Sequence, residues 1–308
     1  MDELKEKFRE YLSKNNRVYV KQVMTDLGLE EYQVYGLVDL IKGDGSLFEV
    51  KNKRIVKSKP ERKEGIYRIP NSSEHIKLCL LSDTHLASKF DRLDLVQYVY
   101  DEADRRRVDY ILHDGDFFDG LGAHTEQLKY LKEATYDGQK EYGIDKYPVS
   151  PIPTLLVGGN HDYRWIKRCG RDILTDLAKE REDLIYLGGD TANIEIGKLK
   201  IRMYHGTKGK SHLGRERVLK YLSTIPEDER PDILQLGHIH QDGFAKDNRT
   251  YCFQTSCLQD LTSFENYQGL TSNKSVWWVD AIMNEQGVVK ISHELERFEG
   301  NKVKIYTK

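Results

Sequence analysis

Short apolar segments alternate with amphipathic ones from residue 75 onward, and this alternation constrains the fold of the 308-residue chain more than any other feature. The segment 76–82 (IKLCLLS) is continuously apolar, as expected for a strand that is buried on both faces. The amphipathic segments have the period of helices, and the tail beyond residue 250 is rich in strand formers. Similar strand-like segments lie at 109–115, 154–159, 199–205 and 232–238, and helical ones at 91–107, 125–142 and 172–180. This order predicts an α/β fold, a layered α/β/β/α sandwich over residues 75–308.

The first 58 residues have a different pattern, in which three helical segments precede a hairpin. Leu4, Phe8 and Leu12 have the spacing of one helix face, and two further helices are indicated before the GDG turn at 43–45. The arrangement resembles a winged helix. We therefore predict a winged-helix-like domain over 1–58 and, because Pro60 and a run of charges follow, a basic linker over 59–74.

The charges of this N-terminal unit leave its role open between nucleic-acid binding and packing or dimerisation. The third helix, EEYQVYGLVDLIK, carries three acids and one lysine, which disfavours a position deep in a major groove. The segment 51–63 has seven basic residues and one acid, and it is the better candidate for phosphate contact. The alternative for this segment is a solvated linker.

Several classes of protein are disfavoured by what the sequence lacks. The four cysteines are widely spread and contain no CxxC pair, which argues against a disulfide scaffold or a cysteine zinc finger. No apolar run approaches the ~18 residues of a membrane helix, and the N-terminus MDELKEKFREYL has no apolar secretory segment. We therefore expect a cytoplasmic protein that does not bind a membrane.

Polar residues of metal-ligand types follow five of the predicted strands. They are Asp83 and His85; Asp116 and Asp119; Asn160, His161 and Asp162; His205; and His238 and His240. Because the carboxyl ends of strands in an open α/β sheet meet at one rim, these side chains should lie close together. One histidine or one aspartate of this kind is more often structural. Five such fragments in order favour a functional site.

Seven of these residues offer enough donors for two divalent ions that share one carboxylate. They are Asp83, His85, Asp116, Asn160, His205, His238 and His240. Mixed nitrogen and oxygen donors without thiolate suit Mn²⁺, Fe or Zn²⁺ better than Ca²⁺ or Cu⁺. We expect Mn²⁺ first, with Fe or Zn²⁺ as alternatives. Two ions ~3.5–4 Å apart stabilise the attacking and leaving oxygens of a displacement at phosphorus.

The order and spacing of these residues resemble the calcineurin-like metallophosphoesterase superfamily, whose pattern is DxH, GDxxD, GNH[DE], H and GHxH. The chain reads DTH at 83–85, GDFFD at 115–119, GNHD at 159–162, His205, and GHIH at 237–240. The resemblance spans roughly residues 76–245 and implies a dimetal phosphoesterase core. It implies that one ion is held by Asp83, His85 and His240, the other by Asn160, His205 and His238, and that Asp116 bridges them.

The resemblance also assigns catalytic roles to His161 and Asp119. His161 would not bind metal but would face the substrate phosphate, to stabilise the transition state or to protonate the leaving oxygen. Asp119 would orient the His161 ring, and Asp162 would brace the loop. Protein phosphatases of this superfamily typically have Arg where this chain has Gly120, and Glu where it has Asp162. These departures favour the nuclease and phosphodiesterase branch.

Two basic loops follow metal-ligand strands and are predicted to border the site. They are 163–171 (YRWIKRCGR), in which Tyr163 and Trp165 offer flat faces for a base, and 206–217 (GTKGKSHLGRER). The predicted substrate-binding residues are Arg164, Lys208, Lys210, Arg215 and Tyr163. The alternative is that these loops are solvated and that the tryptophan belongs to the core. His124 and His212 are further candidates for the cleft.

We predict a dimetal-dependent phosphoesterase that hydrolyses phosphodiester bonds with a metal-bridged water, acting as a nuclease or phosphodiesterase on nucleic acid. One alternative is a small-molecule phosphomonoesterase or cyclic-nucleotide phosphodiesterase with the same dimetal core. Another is a non-enzymatic binding protein with a vestigial phosphoesterase fold, which intact ligands at all five motifs disfavour. The N-terminal unit is also a candidate for contact with a second copy of the chain or with a protein partner.

Overall fold

The computed structural model describes residues 2–15, 17–43, 46–58, 61–63, 65–124, 126–206, 214–299 and 302–307. Its N-terminal unit consists of α1 (Asp2–Lys14), β1 (Arg17–Tyr19), α2 (Val20–Leu27), α3 (Glu31–Gly43), β2 (Phe48–Lys51) and β3 (Arg54–Lys57). β3 lies between β1 and β2 and pairs antiparallel with both. Phe8, Leu12, Val34, Ile41 and Ile55 are buried in a core of this unit's own. The predicted helices and hairpin are confirmed, whereas the interpretation as a winged helix stays a prediction.

Two seven-stranded sheets follow. The order of the first is β17-β16-β15-β6-β7-β8-β9. Its strands are β6 (His75–Leu81), β7 (Tyr110–Asp114), β8 (Thr154–Val157), β9 (Leu184–Tyr186), β15 (Ser275–Asn284), β16 (Gly287–Glu299) and β17 (Lys302–Thr307). The order of the second is β13-β14-β12-β11-β10-β5-β4. Its strands are β4 (Glu61–Lys63), β5 (Ile66–Ile69), β10 (Thr191–Ile196), β11 (Leu199–Tyr204), β12 (Ile233–Leu236), β13 (Gly243–Asp247) and β14 (Thr250–Gln254).

Helices cover the outer faces of both sheets. They are α4 (Leu93–Arg105), α5 (Tyr136–Lys146), α6 (Tyr163–Cys169), α7 (Ile173–Glu180) and α8 (Gly214–Leu222), whereas the short α9 (Ser263–Tyr267) lies between β14 and β15. The predicted helix over 125–142 is instead a single 3₁₀ turn, Gln127–Tyr130, followed by α5. Thr135 begins α5, because its side chain accepts a hydrogen bond from the Gly138 N–H group at 3.0 Å. None of the helices in the described ranges is long and apolar enough to cross a bilayer.

The alternation of side chains along β6 shows how the layers are built. Leu78 and Leu80 point into the core between the two sheets, whereas Cys79 and Leu81 point into a second core under the helices. A third apolar cluster, which includes Val218 of α8, covers the outer face of the second sheet. Residues buried on both faces explain why the strands read as continuous apolar runs. The predicted layered sandwich is confirmed.

The predicted basic linker over 59–74 contains strands of the second sheet. β5 pairs in parallel with β10, with Ile66 opposite Asn193 and Ile69 opposite Ile196, and Ile69 is fully buried between the sheets. Charge dominates this stretch of sequence, but the apolar side chains of IYRI (66–69) determine its position, because burying them in the core stabilises the fold. Residues 59, 60 and 64 lie outside the described part of the chain.

Candidate metal centre

Loops at the carboxyl ends of five strands bring the seven predicted metal ligands together. β6, β7 and β8 run parallel in the first sheet, and β11 and β12 run parallel in the second. The ligands follow within a few residues of the last residue of each of these strands. Both sheets therefore contribute to one site at their common carboxyl rim.

The predicted ligand atoms fall into two clusters, and a third group, His85, Asp116 and His161, overlaps both. In the first, His240 Nε2 lies 3.3 Å from Asp83 Oδ1 and 3.1 Å from His85 Nε2. In the second, His205 Nε2 lies 3.1 Å from Asp116 Oδ2. Donor atoms within each cluster are close enough to share one ion.

Asp116 lies between the two clusters. Its Oδ2 atom, which faces His205, is also 3.9 Å from His85 Nε2. His238 belongs to the same cluster as Asp116, with all donor atoms within 4.8 Å of one another. The other carboxylate oxygen, Oδ1, accepts a hydrogen bond from the backbone N–H group of His161 at 2.8 Å. This is the position that a bridging carboxylate requires.

Three buried ligand atoms test whether cations fit the site. Asp83 Oδ1, Asn160 Oδ1 and His205 Nε2 form no hydrogen bond of good geometry with any described group. An unsatisfied buried polar atom costs about 1–3 kcal/mol. Divalent cations coordinated by carboxylate, amide and imidazole atoms would satisfy all three. The residues present therefore fit the two ions.

The backbone of the ligand loops is strained. Asp83, His85, Asp116, His238 and His240 have φ values of 52°, 44°, 47°, 80° and 53°. A non-glycine residue in this left-handed region costs about 1–3 kcal/mol, and such residues cluster at functional sites. In each loop the left-handed residue turns the chain sharply at the end of a strand, which directs the ligand toward the common centre.

Two glycines explain how the ligand loops pack so closely. A Cβ atom on Gly159 would lie 2.1 Å from Asp116 Oδ1, so only glycine leaves room for the bridging carboxylate. Gly120 has a φ of 65°, and a Cβ atom there would lie 2.3 Å from the carbonyl oxygen of His161. Glycine at position 120, where protein phosphatases of this superfamily typically have Arg, therefore allows the second and third ligand loops to contact each other closely.

Two predicted ligand histidines present Nδ1 to an acceptor and Nε2 to the centre. An acceptor at Nδ1 fixes the tautomer and the ring orientation that metal coordination through Nε2 requires. The contacts are His205 with the Asp114 carbonyl oxygen at 2.6 Å and His240 with Glu265 Oε1 at 2.6 Å. His85 Nδ1 lies 3.2 Å from Asp119 Oδ1, as an ion pair without hydrogen-bond geometry.

Glu265 is a functional residue that the sequence interpretation missed. Its carboxylate contacts His240 and also accepts a hydrogen bond from the backbone N–H group of Thr262 at 2.8 Å, within the capping box that begins α9. The sequence TSFE at 262–265 is a visible capping-box signal. Nothing in the sequence indicates that this helix start lies against His240.

Carboxylates determine the protonation of the ligand histidines. Burial alone would lower the pKa of His205, but the negative charges of Asp116 and Asp83 raise it to about 10. Burial likewise opposes protonation of His85, and the nearby carboxylates of Asp119 and Asp83 raise its pKa to about 10. Cations therefore compete with protons for these rings, and metal binding releases protons.

His161 lies at the edge of the metal centre and is partly exposed. Its Nδ1 atom donates to the Asp119 carbonyl oxygen at 2.7 Å, and the Asp119 carboxylate is 3.6 Å from the same nitrogen. The carbonyl oxygen of Asp119 therefore makes the shorter contact. Burial raises the pKa of Asp119, but the nearby imidazole rings of His161 and His85 outweigh it and hold that pKa well below its ordinary value.

Asp162 and His113 lie beneath the site. The Asp162 carboxylate accepts backbone N–H groups of Gly159 and Phe118, both at 2.9 Å, which ties the third ligand loop to the second. His113 is fully buried, and its Nε2 atom lies 3.0 Å from the hydroxyl of Thr84 in the DTH motif. Burial lowers the pKa of His113 to about 3, so its ring is neutral.

A cleft of about 670 Å³ opens above the metal centre and is lined by His161, Arg164 and His124, among others. Of the described residues proposed to bind substrate, only Arg164 lines it. Tyr163 begins α6 and does not line the cleft; its side chain lies beside Tyr186. Arg215 is exposed on α8 and does not line the cleft either. These two assignments are not supported by the placement of the side chains. Lys208, Lys210 and His212 lie outside the described residues.

Trp165 does not offer a flat face for a base. It is buried in the core, and its Nε1 atom donates to Gln139 Oε1 at 3.1 Å. Successive residues of a helix point about 100° apart, so Arg164 faces the cleft while its neighbours on both sides face the protein. Trp277 and Trp278 are likewise buried in the core.

Comparison with known proteins places this site in a family. Two curated relatives are DNA polymerase II small subunits. The subunit from Methanocaldococcus jannaschii is 23% identical over 72% of this chain and 44% of its own length. The subunit from Archaeoglobus fulgidus is 25% identical over 80% of this chain and 58% of its own length. The chain therefore spans about half the length of these relatives.

Among solved structures, a novel archaeal phosphodiesterase is similar, with 16% identity and a TM-score of 0.41 over 76% of this chain and 100% of its own. The profile of the calcineurin-like phosphoesterase superfamily domain matches residues 76–258, which is more than half of the chain and contains all seven ligand residues. The chain belongs to the calcineurin-like phosphoesterase superfamily.

Proposed function

We propose that this chain is a dimetal-dependent phosphoesterase that hydrolyses phosphodiester bonds in nucleic acid. The observation that carries the proposal is the pair of donor clusters, which the overlapping group of His85, Asp116 and His161 connects below a cleft. Among the metals that suit this donor set, we propose Mn²⁺ first, with Fe or Zn²⁺ as alternatives. When bound, the two ions supply Lewis-acid stabilisation of charge at phosphorus and lower the pKa of a bound water.

The residues around the ions position the reacting groups. Asp116 joins both clusters and, through its bond to the His161 backbone, fixes the loop that carries the catalytic histidine. The carbonyl of Asp119 can only accept, so His161 carries a proton on Nδ1 and turns Nε2 toward the cleft. Nε2 of a protonated His161 can then donate to a phosphoryl oxygen or to the leaving oxygen.

Two observations support a polymer as the substrate. Both curated relatives are named small subunits of a DNA polymerase, which supports nucleic acid as the polymer and a protein as a further partner. The hairpin of the N-terminal unit exposes Lys51 and Lys53 at its turn, as a phosphate-contacting wing would. Binding of a protein or of a second copy by this unit, and a cytoplasmic location, remain proposals from the sequence.

A small-molecule phosphomonoesterase or cyclic-nucleotide phosphodiesterase would use the same metal centre. Substrates separate these functions from a nuclease. Metal-free protein would be reloaded with Mn²⁺, Fe²⁺ or Zn²⁺ and given bis-p-nitrophenyl phosphate, p-nitrophenyl phosphate, and labelled single- and double-stranded DNA and RNA. Cleavage of a polymer, reduced by deletion of residues 1–58, is the expected result. Activity on the monoester alone would overturn the proposal.

A further inference from the structure

Two walls enclose the cleft above the metal centre. One wall is the loop that follows β7, which contributes His124, and the other is the segment with α9, inserted between β14 and β15, which contributes Phe264. The two rings stack across the mouth of the cleft, with centroids 4.7 Å apart and planes 7° from parallel. One face of the Phe264 ring is covered by His124, and the residue is 41% exposed.

The charge of the lining indicates what kind of ligand fits. Among the described residues of the cleft wall, Arg164 offers a cation suited to a phosphate. The described lining also contains aromatic rings and neutral amides such as Gln241 and Gln268. Such amides are suited to hydrogen bonding with the edges of bases.

The stacked pair is held at a fixed position relative to the metals. Glu265, the neighbour of Phe264 in sequence, contacts the metal ligand His240 at 2.6 Å and closes the capping box of α9 with Thr262. The residue that carries the exposed ring, Phe264, is therefore linked to the first cluster through its neighbour Glu265. Phe264 lines the same cleft as His85, Asp116 and His240, so a planar group on this ring and a phosphate at the predicted ligands would share that cleft.

We propose that Phe264, supported by His124, is a stacking platform for one nucleobase next to the scissile phosphate. The inference rests on the proposed phosphodiesterase function and specifies its substrate as a nucleotide whose base is unpaired. The rings of the pair are already in contact, so the base stacks on the face of Phe264 that His124 does not cover, and not between the rings. Stacking of a base on an aromatic side chain contributes about 1–3 kcal/mol, which corresponds to about 5- to 150-fold in kcat/KM.

The test compares two esters with the same leaving group. Thymidine 5′-(p-nitrophenyl phosphate) carries a base, whereas methyl p-nitrophenyl phosphate does not, and both would be given to the Mn²⁺-loaded full chain. We expect Phe264→Ala and Phe264→Leu to lower the ratio of the two kcat/KM values about 5- to 150-fold, and Phe264→Trp to retain it. Tyr267→Ala is the matched control, because Tyr267 is an 86% exposed aromatic residue on the same helix. It should leave the ratio unchanged.

A binding measurement separates failure of the platform from failure of the proposed function. Calorimetric titration of the Mn²⁺-loaded chain with thymidine 5′-monophosphate needs no turnover, and Phe264→Ala should weaken it by a similar factor. If wild-type protein hydrolyses both esters and Phe264→Ala changes neither the ratio nor the binding, the platform is refuted and the phosphodiesterase is supported. If wild-type protein hydrolyses neither ester, the proposed function fails, and the titration alone then decides whether Phe264 binds a base.

Discussion

The floor of the cleft and its walls are built in different ways. The floor consists of buried ligands at strand ends, where Asp83 and Asp116 are almost completely inaccessible and the backbone is strained. The walls consist of loops and a short helix with partly exposed rings such as that of Phe264. Rigid strands are suited to holding metals at fixed distances, whereas loops allow substrate contacts to vary. For the proposed function, the floor would therefore carry the chemistry and the walls the selectivity.

Replacement of the bridging carboxylate is expected to have the largest effect. Asp116→Asn removes the charge that both clusters share, so metal occupancy and activity should be lost together, with turnover down about 10³-fold or more. Elemental analysis and initial rates on bis-p-nitrophenyl phosphate measure the two. Asp101→Asn, at an exposed position on α4, is the control for loss of one carboxylate. Retention of two ions by Asp116→Asn would show that another group bridges them.

His161→Ala is the next largest change and should separate chemistry from metal binding. Because His161 is assigned to proton donation and not to coordination, both ions should remain while kcat falls about 10²–10⁴-fold. Turnover and metal content are measured on the same preparation. Unchanged turnover would exclude His161 as the catalytic histidine, and loss of one ion would make it a ligand.

Glu265→Gln examines the side-chain contact that joins α9 to the predicted ligand His240. Glutamine retains the capping box of α9 but presents a neutral group to His240, so affinity for one of the two ions should fall about 10- to 100-fold. Calorimetric titration of metal-free protein resolves the two binding events. Equal weakening of both ions, or of neither, would contradict the position of Glu265 beside the first cluster alone.

Thr262→Ala is expected to have the smallest effect and tests the wall by itself. The Thr262 hydroxyl caps α9 at 3.1 Å from the Glu265 N–H group and donates to Glu265 Oε2 at 2.7 Å. Loss of such a cap costs about 1 kcal/mol in the free energy of unfolding. Urea denaturation measures this cost. Affinity for an ion in the first cluster should fall less than in Glu265→Gln, because the contact of Glu265 with His240 remains.

The floor was largely predictable from the sequence, and the walls were not. Each ligand follows an apolar strand directly, so the rule that strand ends share a rim identifies Asp83, Asn160 and His205 without knowledge of distances. Whether the Tyr163 ring faces the cleft depends instead on how α6 is rotated about its axis. The basic sequence at 163–171 does not reveal that rotation. Glu265 reaches His240 only because the chain returns after β14, and no local pattern encodes that contact.

The error at residues 59–74 has a related cause. Local charge suggested a linker, whereas the fold places Ile66 and Ile69 in a strand beside β10, more than 100 positions later in the chain. Pairing between distant segments is decided by the burial that the whole domain offers. Sequence patterns report which residues favour burial, but they do not report where the partner strand will be.

The wide separation of the ligands along the chain affects how the protein matures. His85 and His240, which meet in the first cluster, are 155 residues apart in sequence. During synthesis at ~5–20 residues per second, a ribosome therefore needs on the order of ten seconds to make the second of these ligands after the first. An ion bound as we propose would not find its full set of predicted ligands before that time. It would enter late in the biogenesis of the chain, and a chain truncated before His240 would lack a complete first cluster whatever the supply of metal.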